Sequence, residues 1–500
     1  MAYTNTPQNT TYRTEKVTFD ATSTLRSPDN TVRRDSHIIN FFYDRVSQEN
    51  KQREVCLVKR PGVVATAQSL SKVTNTDTIR GYFYEEQEDI YFWAVLNKVY
   101  KYIPNPAGAY TSLICTLTTT TGEVCFDTFQ KSTGEVYILI SDGADLWSQR
   151  LRVYPDTAGV AVTDPDFPAT FAPRFAVLNG TVYVASNNTI YNSDTDTFDA
   201  WTAGNDIDAE MSADNIRALF KNKNYIVAMG YNSTEIFWDA GNATGSPLSR
   251  NDSGFKSIGY LSAYASTADQ HFFVGQDKNN NIAVYVMENF KADKISNSVV
   301  ERTIQATATS GFTGSSRATT AKGVILSVTG HTFYCLTTTD ITWVYDLEEK
   351  MWYEWRSPTG VFAPEAAWSK FDGSQYIANA GSGTIDILSP LVYNDKGTNF
   401  ICSYTTEDNL FGSVNWKTCN RVSLVTDRYQ VTGTSNATLQ WSDNDWADGP
   451  TGTATLNVFL NMPRSHRAGR FRNRSFRLLY EDNYPIRVKY LELELNIGAH

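Results

Sequence analysis

Hydrophobic and polar positions vary along this chain in short runs with the period of β-strands. Seven times, a run of aromatic and β-branched residues is followed by a polar turn and a second such run. The copies open at Tyr91, Tyr137, Tyr183, Tyr225, Phe273, Phe333 and Tyr376, with spacings of 46, 46, 42, 48, 60 and 43 residues. Their turns hold Asp142-Gly143, Asn187-Asn188, Asn279-Asn280-Asn281 and Ser382-Gly383. These residue types tolerate positive φ or hydrogen-bond their own backbone, as hairpins require. A hairpin this small cannot cover its own apolar face; further sheets packed against it can. Four strands in about 40–50 residues is the period of a β-propeller. The expected fold is therefore all-β, with a propeller of about seven blades. The 60-residue interval after Phe273 leaves room for an insertion or a further blade. Within it, Val299 to Gln305 reads as a short helix and 307–320 as a small-residue stretch. A stacked sandwich or a solenoid is the competing arrangement.

Both ends break the repeat. Residues 1–62 contain an apolar run from Ile38 to Tyr43 and a strand, Cys56 to Lys59, closed by Arg60-Pro61-Gly62. Residues 398–500 read as strands from Phe400 to Tyr404, Arg421 to Asp427, Ala437 to Trp441, Ala454 to Phe459, Ser475 to Tyr480 and Ile486 to Asn496. The alternation from Lys489 to Leu495 points leucines to one face. The division expected is an N-terminal segment (1–62), a propeller (63–397) and a β-sandwich-like platform (398–500). The N-terminal segment packs with the platform, because a propeller's ends emerge close together.

Composition narrows the function. At 500 residues, the chain exceeds one ordinary core unless repeats carry the mass. The aromatic content of 13% fits half-buried pleated surfaces. The N-terminus shows no secretory h-region, and no apolar run is long enough to span a membrane. The six cysteines form no C-x-x-C pair and read as reduced, buried thiols of a protein made in the cytosol. Cys/His spacing for zinc is lacking, and no metal or cofactor is expected. A net charge of −10 disfavours gripping nucleic acid through its phosphates. The same acidity suits a passage to which DNA must not stick, and ordinary solubility explains it equally well.

One basic cluster stands out. Arg464, Arg467, Arg470, Arg472, Arg474 and Arg477 fall within 14 residues. On a strand, Arg470, Arg472 and Arg474 would share one face. Arginine suits bidentate pairing with carboxylates. These six residues are the candidate inter-subunit or adaptor interface. A solvated guard on a strand edge and a nucleic-acid contact are the other readings.

The most specific text is Tyr231 to Gly241, followed by Ser246 to Arg250, Ser257-Ile258-Gly259 and His271 to Gly275. With the early Arg60-Pro61-Gly62 turn and the late Arg467 to Arg474 run, it resembles the tail hub, or nozzle, proteins of short-tailed bacteriophages, the packaged-DNA stabilisation proteins. The resemblance spans roughly 58–477. It implies a structural virion protein, assembled in the bacterial cytoplasm, that forms a homohexameric ring below the portal and head-to-tail adaptor. Such a ring extends the DNA channel, retains packaged DNA and conducts it during ejection. It supports tail fibres or spikes and can meet a tail needle or plug. DNA passes through its lumen without specific binding. The resemblance brings no catalytic residues.

Propellers also serve as glycosidases and lectins, so a glycan-binding or polysaccharide-degrading tail propeller is the alternative. Ser141 to Trp147 and Ser442 to Gly449 loosely echo the Asp-box turn of sialidases and read as plain turns. The five histidines are scattered and form no nucleophile–base set. Asp194, Asp196 and Asp199 resemble the start of a calcium loop, but Phe198 stands where a ligand belongs and no glycine follows. The chain is therefore not expected to be an enzyme.

Overall fold

The computed structural model describes residues 11–18, 38–46, 54–69, 77–103, 110–151, 158–305, 317–379, 383–427 and 433–498. Nearly all of the secondary structure is strand. The seven predicted hairpins are the second and third strands of seven four-strand meanders. The first meander shows the plan, with strands Ile79–Glu85, Ile90–Val95, Lys98–Ile103 and Tyr110–Thr116 paired antiparallel in order. Six meanders are self-contained sheets, so the separate blades number six, one fewer than expected. The seventh meander, Lys322–Val328 to Met351–Ser357, is fused into a ten-stranded sheet. The long interval after Phe273 holds an insertion, including the helix Ser298–Gln305. The stretch 307–320 lies outside the described residues as far as 316 and ends in the short helix Arg317–Thr320.

The second strands read as continuous apolar runs because each is buried on both faces. Every residue of Ile90–Val95 is buried. Tyr91, Trp93 and Val95 pack with Trp368 and Ile385 of the preceding blade, while Ile90, Phe92 and Ala94 pack with Ile138 and Ile140 of the next. The two-residue side-chain period thus feeds two cores from one strand. Each large side chain so buried contributes about 1.5–3 kcal/mol. The first strands lie innermost and approach one another closely. A Cβ on Gly81 would fall 1.8 Å from the Val124 carbonyl oxygen, and one on Gly323 would fall 2.2 Å from that of Ala263. The inner strands enclose a cavity of about 1480 Å³. In it Arg174 pairs with Glu123, and the Tyr260 hydroxyl donates to the same carboxylate at 3.1 Å.

The ring is closed by chain from outside the repeat. Gly62–Ser69 adds the fourth strand to the meander of Ala366–Ser369, Gln375–Asn379 and Thr384–Ser389. The fused meander continues through Ile38–Ile39 into Cys402–Thr405, Ser475–Tyr480, Asn436–Ser442 and Gly452–Asn457. A second sheet runs Phe41–Val46, Glu54–Lys59, Arg487–Ile497, Lys417–Thr426 and Arg464–His466, with Thr11–Thr18 also on Arg487–Ile497. These two sheets form the platform, and both chain ends build it. One continuous apolar cluster joins it to the fused meander, from Phe333 and Trp355 to Leu439 and Leu493.

Arg60 pins this junction and is fully buried. All five of its N–H groups donate: to Asn40 Oδ1 (2.9 Å), the carbonyls of Pro61 (2.9 Å) and Arg356 (2.8 Å), and both oxygens of Asp395 (3.1 and 2.6 Å). Its guanidinium stacks 3.7 Å from the Phe400 ring centre. The early Arg-Pro-Gly turn is therefore the bolt between propeller and platform.

Candidate interaction surface

The arginine cluster does not form one face. Its strand ends at Phe471; the chain bends through Arg472 and Asn473, and Arg474 turns inward. This corrects the expectation that Arg470, Arg472 and Arg474 point together. Arg474 is 1% exposed and makes a two-point ion pair with Asp443 (2.6 and 2.9 Å). It also donates to the Ala468 carbonyl at 2.6 Å and lies 4.0 Å over the Phe471 ring. Buried and paired within the chain, it is not displayed to a partner. Arg477 belongs to the other sheet. It is half-buried, donates to Thr405 Oγ1 at 3.1 Å and lies 3.9 Å over the Trp446 ring.

Four arginines remain exposed. Arg464 lies on the edge strand beside Lys417–Thr426, and Arg467 follows it with φ near 62°. Arg470 and Arg472 both stack on Trp416, at 4.8 and 5.0 Å from its ring centre. Trp416 itself is 43% exposed, and Leu410 and Val414 beside it in the chain are 50% and 70% exposed.

Buried Lys417 displays this loop. Its ammonium donates to the carbonyls of Ser413 (2.5 Å), Asn415 (3.0 Å) and Arg472 (2.6 Å). It thereby ties the apolar loop to the arginine bend. Burial lowers the Lys417 pKa. Phe411 turns the other way and packs edge-on to Phe471 at 5.7 Å. Trp416 and Lys417 were missed in the sequence, where a lone Trp-Lys pair carries no periodic signal. The surface offers planar cations and aromatic and aliphatic area, the make-up of protein–protein hot spots.

The Asp-box echoes and the calcium-loop echo make bonds within the chain. Asp142 Oδ1 accepts the amides of Ala144 and Asp145 (3.0 and 2.8 Å). Its Oδ2 accepts the Thr119 amide and hydroxyl (2.9 and 2.7 Å), tying two blades. Asp443 of the other Asp-box echo holds Arg474. Asp194, Asp196 and Asp199 turn to separate partners, Asn205, Ser132 and Thr197. Among the described residues, His331, Asp346 and Glu348 are the one His/Cys/Asp/Glu group close enough to share a metal.

Comparison with known proteins supplies the class. Residues 128–369 match the family model described as bacteriophage P22 Gp10, β-propeller. Over that span, just under half of the chain, the sequence is similar to the Gp10 β-propeller family. The match covers the second through the fused meander and includes the Tyr231 to Gly241 text that carries the resemblance. The Gp10 family is one of structural phage tail proteins, not of enzymes, and the match supports a phage tail structural protein. No curated protein matches the sequence. Among solved structures, a chain of the Mitotic Checkpoint Complex is 10% identical over 69% of this chain and 98% of its own, with a TM-score of 0.34. The N-terminal domain of Nup159 is 11% identical over 70% and 98%, with a TM-score of 0.37. Likenesses this distant carry no functional argument.

Proposed function

We propose that this phage tail protein forms a homohexameric nozzle below the portal and head-to-tail adaptor. It extends the DNA channel, helps retain packaged DNA, conducts it during ejection and supports fibres or spikes. The division into 1–62, 63–397 and 398–500 is part of this reading, with the propeller as the body and the platform as the ring-forming part. The observation that carries it is the Trp416 platform between Arg470 and Arg472, displayed with Leu410 and Val414. In a cyclic ring one patch meets a different patch on the next copy. Arg464 and Arg467 extend the cationic side of that contact. Six copies at −10 each carry about −60, and carboxylates turned to the lumen would repel DNA phosphates and reduce friction.

Sedimentation and electron microscopy test the reading. The purified chain, alone or added to filled heads lacking it, should give six-fold rings on the tail axis. Arg470→Ala with Arg472→Ala should abolish them while leaving a folded monomer. A wild-type chain that stays monomeric on filled heads, or that labels only lateral appendages, overturns the nozzle.

A further inference from the structure

We propose that His331, Asp346 and Glu348 bind one divalent transition-metal ion at the seam between the fused meander and the platform. The hairpin of His331–Thr337 and Thr342–Asp346 sets Phe333 opposite Asp346, which brings His331 alongside the same carboxylate. One donor atom from each of His331, Asp346 and Glu348 lies within 4.8 Å of the others. Asp346 is fully buried and His331 nearly so, while Glu348 sits on the exposed turn and leaves a path to solvent.

The ligands are already oriented. Asp346 Oδ1 accepts the amides of Glu348 and Glu349 at 3.0 and 3.2 Å, which leaves Oδ2 aimed at His331 Nδ1, 2.9 Å away. Phe42 edge-on at 5.1 Å and Phe333 stacked at 5.7 Å hold the imidazole plane. The ion binds the neutral imidazole through the Nδ1 lone pair that faces Asp346 Oδ2, with the one ring hydrogen on Nε2. A neutral ring that starts with its hydrogen on Nδ1 gives that proton to solvent and takes one up on Nε2, so its proton count is unchanged as the Nδ1–metal bond forms. Nε2 lies 3.8 Å from Asp44 Oδ1 on the platform strand. A carboxylate behind a metal-bound imidazole is the usual outer partner of such a ligand.

The neighbouring acids have their own cations. Arg487 pairs with Asp44 at 2.7 Å and Arg45 with Glu349 at 2.5 Å. Among the described residues, no lysine or arginine is ion-paired with Asp346 or Glu348. One imidazole nitrogen and two carboxylate oxygens suit zinc, cobalt or manganese better than magnesium, which prefers an all-oxygen octahedral shell. Because Asp44 belongs to the platform, the ion would clamp the two parts together.

The test uses the full chain, stripped with chelator and titrated with cobalt chloride. One cobalt per chain with visible d–d absorption is expected. Zinc chloride should raise the melting temperature and magnesium chloride should not. Glu348→Gln keeps an oxygen for the Thr332 amide that Glu348 now accepts at 2.9 Å, so the turn should hold. It should weaken cobalt binding at least tenfold, and Asp44→Asn by about tenfold. No stoichiometric binding, or unchanged affinity in Glu348→Gln, overturns the site.

Discussion

Sixteen large apolar side chains are exposed among the described residues. Eight lie between Leu391 and Tyr484, and the other eight are spread from Val64 to Phe371. The difference follows from architecture. Each blade is flanked by two others, so a strand such as Ile90–Val95 is covered on both faces. The platform sheets cover each other on one side only, and their outer segments have no repeat to follow them. A closed repeat finishes its own surface, while a mixed sandwich keeps area for something else. Arginine marks the same contrast. Arg60 and Arg474 are sunk against aromatic rings and paired with carboxylates of their own chain, while Arg470 and Arg472 stack on an open tryptophan.

Breaking the junction should have the largest effect. Arg60→Ala leaves Asp395 buried without its partner, which costs about 3–5 kcal/mol. Urea unfolding should show propeller and platform destabilised together; loss of the platform alone would mean that Arg60 is not shared. Acid should come next and act within the propeller. Burial, helped by the nearby Arg174 charge, pushes the His271 imidazole down to about 4, while Tyr264 hydrogen-bonds its Nδ1 at 2.8 Å. Between that value and the unfolded 6.5, the unfolded state binds more protons. The stability is therefore complete above about pH 6.5 and falls as pH drops toward 4, by about 3 kcal/mol in all. His271→Gln should flatten that slope in urea midpoints measured from pH 7 to pH 4.

Two smaller effects sharpen the contrast among arginines. Arg474→Ala strands Asp443, which is partly exposed, and should cost about 2 kcal/mol in platform stability. Arg470→Ala with Arg472→Ala should change unfolding by under about 0.5 kcal/mol, as exposed substitutions do. A large loss of stability in that double variant would make the pair structural after all.

Much of the architecture is legible in the chain because it is local. Tyr91, Tyr137, Tyr183, Tyr225, Phe273, Phe333 and Tyr376 all open or lie near the start of a second strand, where burial on both faces enforces an apolar run. The turns agree, with positive φ at Gly143, Asn187, Asn280 and Gly383; Ser382 lies outside the described residues. All six platform strands predicted after residue 398 are present, within a few residues. What stayed hidden depends on distant partners. Neither closure by Gly62–Ser69 nor fusion through Ile38–Ile39 has a signature in either segment alone. The fate of Arg474 is set by Asp443, 31 positions earlier in the chain. Strict alternation placed it beside Arg470 because a strand was assumed to continue where the backbone bends.

The pairing of Thr11–Thr18 with Arg487–Ile497 bears on synthesis as well as on form. On a ribosome adding roughly 5–20 residues per second, the early segment must wait for residues 19–486 before its partner strand emerges. Until then the central blades can stack in order, but the sheet that receives both ends stays open. A product cut short after residue 480 could hold much of its propeller and still lack the strand on which Thr11–Thr18, Glu54–Lys59 and Lys417–Thr426 all converge. The sheet beside Trp416 is thereby tied to the late strand Arg487–Ile497, which pairs directly with the strand that follows Trp416.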